Sequence, residues 1–229
     1  MSKKKNATGH RDTLHVGLLV DETGSMGPNH LAVVGGINEF VAKLASDTNG
    51  TKVLATLSMF DLHGNDPVVR TKFEGIPVQE VGMFGPDDYS PRGATPLNDA
   101  VVRTIRSMGK RVKKGHRAML VILTDGLENA SETSSRDVRK LIVEREKAGW
   151  EFIYLGANQD SWAESSKIGV GARGKRFDYE ATPAGTAAAL RASGARVRKF
   201  RNEPDEYRAE LPALDTRIDP GDDEVKRSR

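Results

Sequence analysis

The chain of 229 residues contains no cysteine. Disulfide bonds, thiolate metal sites and a cysteine nucleophile are therefore excluded. The sequence also has no apolar run of about 18 residues, so we expect no helix that spans a membrane. The opening residues MSKKKNATGHRDT are basic but lack the apolar segment of a secretory signal. Together these absences favour a cytoplasmic protein.

A large excess of one charge is also missing. There are 35 Lys and Arg against 32 Asp and Glu, which leaves a net charge of +3. This excess is too small to indicate nucleic acid as a partner. A hydrophobic content of 37% and a charged content of 29% are typical of a globular protein with one full-sized domain.

What the sequence does contain is an alternation of strand and helix patterns. Short apolar runs predict strands at 14–20, 52–60, 118–124 and 151–156, alternation predicts a strand at 68–74, and KRFDYE could form a last short strand at 175–180. Helical spacing of apolar residues predicts helices at 29–46, from Leu97 to Met108, and at 132–148, 159–169 and 182–200. The runs at 14–20, 118–124 and 151–156 are apolar almost throughout, as in a parallel sheet covered on both faces. We therefore expect a Rossmann-like, doubly wound α/β fold with helices on both faces and one antiparallel edge strand from a hairpin over 52–74.

The domain organisation follows from the same patterns. We expect a flexible basic N-terminus over 1–12, one α/β domain over 13–202, and a charged, disordered tail over 203–229. About twenty residues after Glu74 are rich in Gly, Pro and Asp and predict a long loop. A loop of that length inside a domain is usually functional or disordered.

Polar residues with oxygen side chains follow the strands of this predicted sheet. Asp21, Thr23 and Ser25 follow the first strand, and Asp125 follows the strand 118–124. Thr95 lies at the start of a predicted helix between them. In doubly wound sheets, sites form at the carboxyl ends of strands that are neighbours at the switch in strand order. These five residues are therefore expected to converge from three loops.

The chemistry of this set indicates a hard divalent cation. All donors are oxygens and there is neither His nor Cys, which favours Mg²⁺ or Mn²⁺. Ca²⁺ is less favoured because its sites usually contain more carboxylates. Two aspartates only neutralise the ion and hydroxyls add no charge. The ion would therefore still attract a carboxylate from a partner.

The motifs DETGSM, ATPLNDA and LTDG, in this order, resemble the metal-ion-dependent adhesion site of von Willebrand factor A (vWA) domains. The resemblance covers about residues 13–170, and YLGANQD resembles the bacterial and bacteriophage members. It implies that Thr23 and Ser25 bind the ion directly, that Asp21 and Asp125 often act through water, and that Thr95 binds directly when an acidic ligand is present. Thr23 departs from the family's serine but keeps the hydroxyl. Some bacterial relatives act beside ATPases, which makes an ATPase-containing complex a plausible partner.

Several residues near these motifs have simpler interpretations. Asp21, Thr23 and Ser25 are also residue types that cap helices. Asp99 either steadies the site loop or is solvated, and Asp61 is expected in a turn. The remaining simple interpretations are a solvated acidic loop for Asp87 and Asp88, a flexible turn for GVGARG (169–174), and a packed or hydrogen-bonded side chain for His15.

Function is expected to be metal-dependent binding of a protein that supplies an Asp or Glu carboxylate. One alternative is a structural component of a phage virion or multiprotein complex in which the metal is not essential. The other is a metal-dependent hydrolase. No catalytic base or nucleophile motif is evident, so we expect no enzymatic activity.

Overall fold

A computed structural model describes residues 12–46, 48, 50–157, 161–170, 175–213 and 217–218. Three sequence predictions therefore lie wholly or largely outside the described residues. They concern the basic N-terminal segment, the glycine-rich stretch at 171–174 and the end of the chain after residue 218.

Seven strands form one sheet in the order β3-β2-β1-β4-β5-β6-β7. Their bounds are β1 Thr13–Asp21, β2 Lys52–His63, β3 Asp66–Pro77, β4 Arg117–Thr124, β5 Trp150–Ala157, β6 Arg176–Tyr179 and β7 Arg217–Ile218. Only β3 is antiparallel to its neighbour among these strands. The predicted α/β fold, with a mostly parallel sheet and one antiparallel edge strand, is confirmed.

Helices cover both faces of the sheet. One face packs against α1 (His30–Ala45) and α5 (Pro183–Asn202), and the other against α2 (Leu97–Gly109), α3 (Ser135–Lys147) and α4 (Ser161–Ile168). Every residue of β1 is buried because side chains alternate between these two cores. None of the described helices is long and apolar enough to cross a bilayer.

The β2–β3 hairpin is longer than the sequence predicts. Its strands continue to His63 and from Asp66, so only Gly64 and Asn65 form the turn. Gly64 has a φ of +60°, which a tight hairpin turn requires. Asp61 therefore lies within β2 and its side chain is buried, so the prediction of a turn residue is wrong.

The described residues after position 202 are folded, which differs from the expected tail over 203–229. A further helix, α6, spans Pro204–Glu210, and β7 pairs in parallel with β6. Tyr207 is buried, with its ring 5.3 Å from that of Phe200 and the Arg196 guanidinium 5.2 Å from its centroid. The domain thus extends beyond the boundary at 202, because a single buried tyrosine anchors an otherwise polar helix.

Candidate metal centre

Asp21 is the last residue of β1 and its side chain is completely buried. One carboxylate oxygen accepts the backbone N–H of Thr23 at 2.8 Å, and the other accepts the Thr124 hydroxyl at 2.5 Å. Because β1 and β4 are adjacent parallel strands, Asp21 and Thr124 meet at their carboxyl ends. The prediction that the strands ending at Asp21 and before Asp125 are neighbours is confirmed.

The hydroxyls of Thr23 and Ser25 connect the loop after β1 with the loop after β4. The two hydroxyl oxygens lie 3.3 Å apart, and the Ser25 hydroxyl donates to Asp125 at 2.6 Å. Thr23 is buried, whereas Ser25 is exposed to solvent. The centre is therefore open at the position of Ser25.

Thr95 arrives from the loop that precedes α2. Its backbone N–H donates to the side chain of Asn129, and its carbonyl accepts the Asn129 N–H. The hydroxyl of Thr95 lies 2.9 Å, and an Asp21 oxygen 3.7 Å, from the position that a Cβ on Gly126 would take. A Cβ on residue 126 would therefore displace the Thr95 hydroxyl. The structure brings all five sequence-predicted residues to one edge of the sheet.

Burial raises the pKa of the Asp21 carboxyl to about 6. The hydrogen bonds from Thr124 and Thr23 oppose this shift, and the charge of Asp125 adds to it. Burial also raises the pKa of Asp125, against the hydrogen bond from Ser25. Both carboxylates are therefore held in an environment that disfavours negative charge.

The neighbouring carboxylates of Glu22 and Asp61 differ from these two because each forms an ion pair with an arginine. Glu22 pairs with Arg70 at 2.6 Å and Asp61 pairs with Arg92 at 2.8 Å. Within the described ranges, neither Asp21 nor Asp125 forms an ion pair with a Lys, Arg or His side chain. Two carboxylates near each other, one fully buried and without a basic partner, are the arrangement that a divalent cation would stabilise.

The donor set fits a hard cation rather than a soft one. The five residues offer two carboxylates and three hydroxyls, and the parts of the chain that the structure describes contain no group of three or more His, Cys, Asp and Glu placed to hold a metal. Oxygen donors of this kind suit Mg²⁺ or Mn²⁺. When bound, such an ion would supply a positive centre for an anionic ligand, and these five side chains would hold it.

Sequence reasoning missed the residues that hold this centre in place. The Tyr89 hydroxyl donates to the Asp21 carbonyl at 2.5 Å. Glu128 accepts the backbone N–H groups of Asn98, Ala130 and Ser131, and so connects α2 to the loop after β4. Thr124 was visible in the motif LTDG as the residue before Asp125, but no spacing in the sequence pointed to Tyr89 or Glu128.

The other polar residues considered from the sequence, two aspartates and one histidine, have structural roles. Asp99 accepts the backbone N–H groups of Glu132 and Thr133, which supports the interpretation that it steadies the site loop. Asp88 pairs with Lys72 at 2.5 Å and accepts the Gly85 N–H, so it is anchored rather than simply solvated. His15 is buried and hydrogen-bonded to His116, as expected.

No protein-family model and no curated protein matches the sequence. Solved structures do match: the pilus adhesin SpaC from Lactobacillus rhamnosus GG is 15% identical with a TM-score of 0.62, covering 82% of this chain and 30% of that one. Proximal thread matrix protein 1 from the mussel byssus is 16% identical with a TM-score of 0.55, covering 79% and 46%.

The manganese-loaded TRAP protein of Plasmodium vivax is 16% identical with a TM-score of 0.51, covering 78% of this chain and 72% of that one. At such identities these likenesses concern the fold alone. The chain spans less than half of the length of the adhesin and of the byssus protein. These matches agree with the Rossmann-like α/β fold that the sequence predicts.

Proposed function

We propose that this chain is a binding module that holds a divalent cation, Mg²⁺ or Mn²⁺, and recognises a protein through it. Asp21, Thr23, Ser25, Thr95 and Asp125 would hold the ion. The observation that carries the proposal is that neither Asp21 nor Asp125 forms an ion pair with a basic side chain in the described structure. The nearby carboxylates of Glu22 and Asp61, in contrast, each pair with an arginine.

The partner is proposed to complete the coordination with an Asp or Glu carboxylate. Two aspartates balance a divalent charge, and the three hydroxyls contribute none. Such an ion keeps its attraction for a further anionic oxygen. The exposed position of Ser25 supports access from solvent, and the manganese-loaded TRAP structure is an example of a similar fold with a divalent ion.

The metal half of the proposal is tested by calorimetric titration of MgCl₂, MnCl₂ and CaCl₂ into the full chain. We expect one site, with Ca²⁺ the weakest of the three. Asp21→Asn and Ser25→Ala should each weaken Mg²⁺ binding about tenfold or more, because the first removes a negative charge and the second removes an oxygen ligand. Ser25→Ala guards against misfolding, since Ser25 is exposed. Asp66→Asn is the matched control, because Asp66 is an exposed carboxylate in the β2–β3 hairpin.

Equal heats in the wild type, Asp21→Asn and Ser25→Ala would contradict the metal proposal.

The partner half is tested by a pull-down in Mg²⁺ and in EDTA, followed by Ala substitution of each partner Asp and Glu. A stable multimer insensitive to EDTA would instead favour the scaffold role. Hydrolysis of a phosphoester that disappears in Asp125→Ala would favour the hydrolase.

The same proposal assigns the module no enzymatic step, because binding through the ion requires no general base. It also includes a cytoplasmic location, a bacterial or phage origin and a partner within an ATPase-containing complex. The last two points are supported only by the sequence resemblance. Fractionation of the native host and identification of the captured partner test them.

A further inference from the structure

Two arginines contact the loop that carries the proposed metal ligands. Glu22 lies between Asp21 and Thr23, and its carbonyl accepts the backbone N–H of Arg92 at 2.8 Å. The carboxylate of Glu22 accepts an Arg70 Nη2–H at 2.6 Å. Both arginines are thus tied to the residue in the middle of the first metal motif. We call Arg70 and Arg92 the basic flank.

The charges of the basic flank and its partners are segregated by exposure. Glu22 and Asp61 are 1% and 2% exposed, whereas the side chains of Arg70 and Arg92 are 40% and 52% exposed. The negative charges are therefore inside and the positive charges face solvent. The exposed groups of these two ion pairs are therefore the guanidinium groups.

Each guanidinium keeps donors that no described residue occupies. A guanidinium has five N–H donors in a rigid plane. Arg92 uses Nε for Asp61, which His63 also contacts, and Arg70 uses Nη2 for Glu22 and for the Asp88 carbonyl. The carboxylate partners hold both groups in place while the other nitrogens stay available. Such preorganised donors lose little entropy when they bind a planar anion.

We propose that the basic flank binds a second acidic side chain of the protein partner whose first carboxylate completes the metal centre. This inference rests on the proposed function. The partner segment is therefore acidic at two positions, one at the ion and one at Arg92. Guanidinium–carboxylate pairs are directional, so the second contact fixes the orientation of the segment as well as adding affinity.

The alternative is that the arginines only neutralise Glu22 and Asp61. The two roles predict different binding results for one variant. In Arg92→Gln alone, the buried Asp61 loses its arginine, which would disturb the structure in either case. In the double variant Arg92→Gln with Asp61→Asn, that unpaired charge is gone, so only a binding role of Arg92 still predicts weaker recognition.

The test uses hexaglutamate as the probe and hexaglutamine as its uncharged counterpart, titrated into the full chain at about 150 mM salt and followed by NMR. Hexaglutamate is about 20 Å long when extended and carries a carboxylate on every residue. We expect its affinity in Mg²⁺ to fall about fivefold in Arg92→Gln and in the double variant. Arg136→Gln, which removes an exposed arginine from the first turn of α3, is the matched control and should change affinity less than twofold.

Affinity in Arg92→Gln equal to that in Arg136→Gln would overturn the inference, as would full recovery in the double variant. Absence of hexaglutamate binding to the wild type in Mg²⁺ would overturn it too. Calorimetry with MgCl₂ keeps the two proposals apart, because the double variant Arg92→Gln with Asp61→Asn keeps all five proposed metal ligands and leaves no buried charge without a partner, so its Mg²⁺ affinity tests the metal proposal alone. If the wild type binds no Mg²⁺, the metal proposal fails, and the Arg92 comparison in EDTA still decides the basic flank.

Discussion

At the residue scale, the centre depends on side chains that keep a buried carboxylate charged. The hydroxyl of Thr124 donates to Asp21 and accepts the N–H of Gly126. It therefore satisfies one oxygen of a group that burial disfavours in its charged form. Thr124 was not recognised from the sequence, because a threonine at the end of a strand is common and its partner is 103 residues away.

Replacing Thr124 by valine keeps the shape and removes this hydrogen bond. We expect Thr124→Val to lower the free energy of unfolding by about 1–3 kcal/mol, because an oxygen of Asp21 is left without its donor. Chemical denaturation measures this change. Thr104→Val is the matched control: the Thr104 hydroxyl is buried and accepts or donates no hydrogen bond within the described structure, so its loss should be neutral or stabilising. Equal destabilisation by both variants would contradict the assigned role of Thr124.

Gly126 is a second position at which the addition of one carbon atom would change the centre. A Cβ there would lie 2.9 Å from the Thr95 hydroxyl, so Gly126→Ala must displace Thr95. We expect Mg²⁺ affinity to fall about tenfold, with little change in the fold. Gly27→Ala at the same edge is the control, since a Cβ there meets nothing within 4 Å. Calorimetry in the presence of hexaglutamate, which supplies an acidic ligand, compares the two, and equal Mg²⁺ affinities would contradict the proposed role of Thr95.

At the element scale, the success of the sequence predictions follows the length and regularity of each pattern. The strands β1, β4 and β5 were predicted well because both of their faces are buried and every position is selected for apolarity. The helix α5, predicted at 182–200, begins at Pro183, with the Thr182 hydroxyl accepting the Gly185 N–H as a helix cap. The helix α6 was missed because its seven residues, PDEYRAE, include a single large apolar side chain and therefore show no periodicity.

The anchoring of α6 by Tyr207 gives a prediction at this scale. Tyr207→Ala removes a buried ring that packs on Phe200 and under Arg196, so we expect the free energy of unfolding to fall by about 3 kcal/mol. Asp205→Ala changes a fully exposed residue of the same helix and should stay within about 0.5 kcal/mol of the wild type. Thermal or urea unfolding compares them. Similar stability of the two variants would mean that α6 contributes little to the domain.

At the scale of the whole molecule, the parallel sheet separates two different edges. The carboxyl ends of β1 and β4 carry the oxygen-rich centre. At the amino ends of the strands, Nε2 of His15 lies 2.9 Å from Nδ1 of His116. The two rings are stacked, with their centroids 5.1 Å apart. Burial, together with the positive charges of His116, Arg111 and Lys52, lowers the pKa of His15 to about 4. The surroundings at this edge therefore keep His15 neutral in the pH range in which a histidine of the unfolded chain becomes charged.

The sign of the resulting pH dependence is fixed by this pKa. Between pH 6.5 and 4 the unfolded chain binds a proton at His15 that the folded chain does not, so stability falls as the pH falls through this window. His15→Gln removes this contribution. We expect the unfolding free energy of the wild type minus that of His15→Gln to decrease from pH 7 to pH 4.5. Urea titrations at several pH values measure it, and a constant difference would contradict the prediction.

The sequence by itself determined the α/β alternation and the mostly parallel sheet, and it indicated the five residues of the proposed metal centre. It could do so because strand burial and strand-end loops leave local patterns of apolar and polar residues. Only the tertiary structure decided which groups support those donors. Tyr89, Thr124, Glu128, Arg70 and Arg92 act through contacts between segments far apart in the chain. It also decided that the residues around Tyr207 are folded and that Asp61 is buried, since burial depends on what the rest of the chain places alongside.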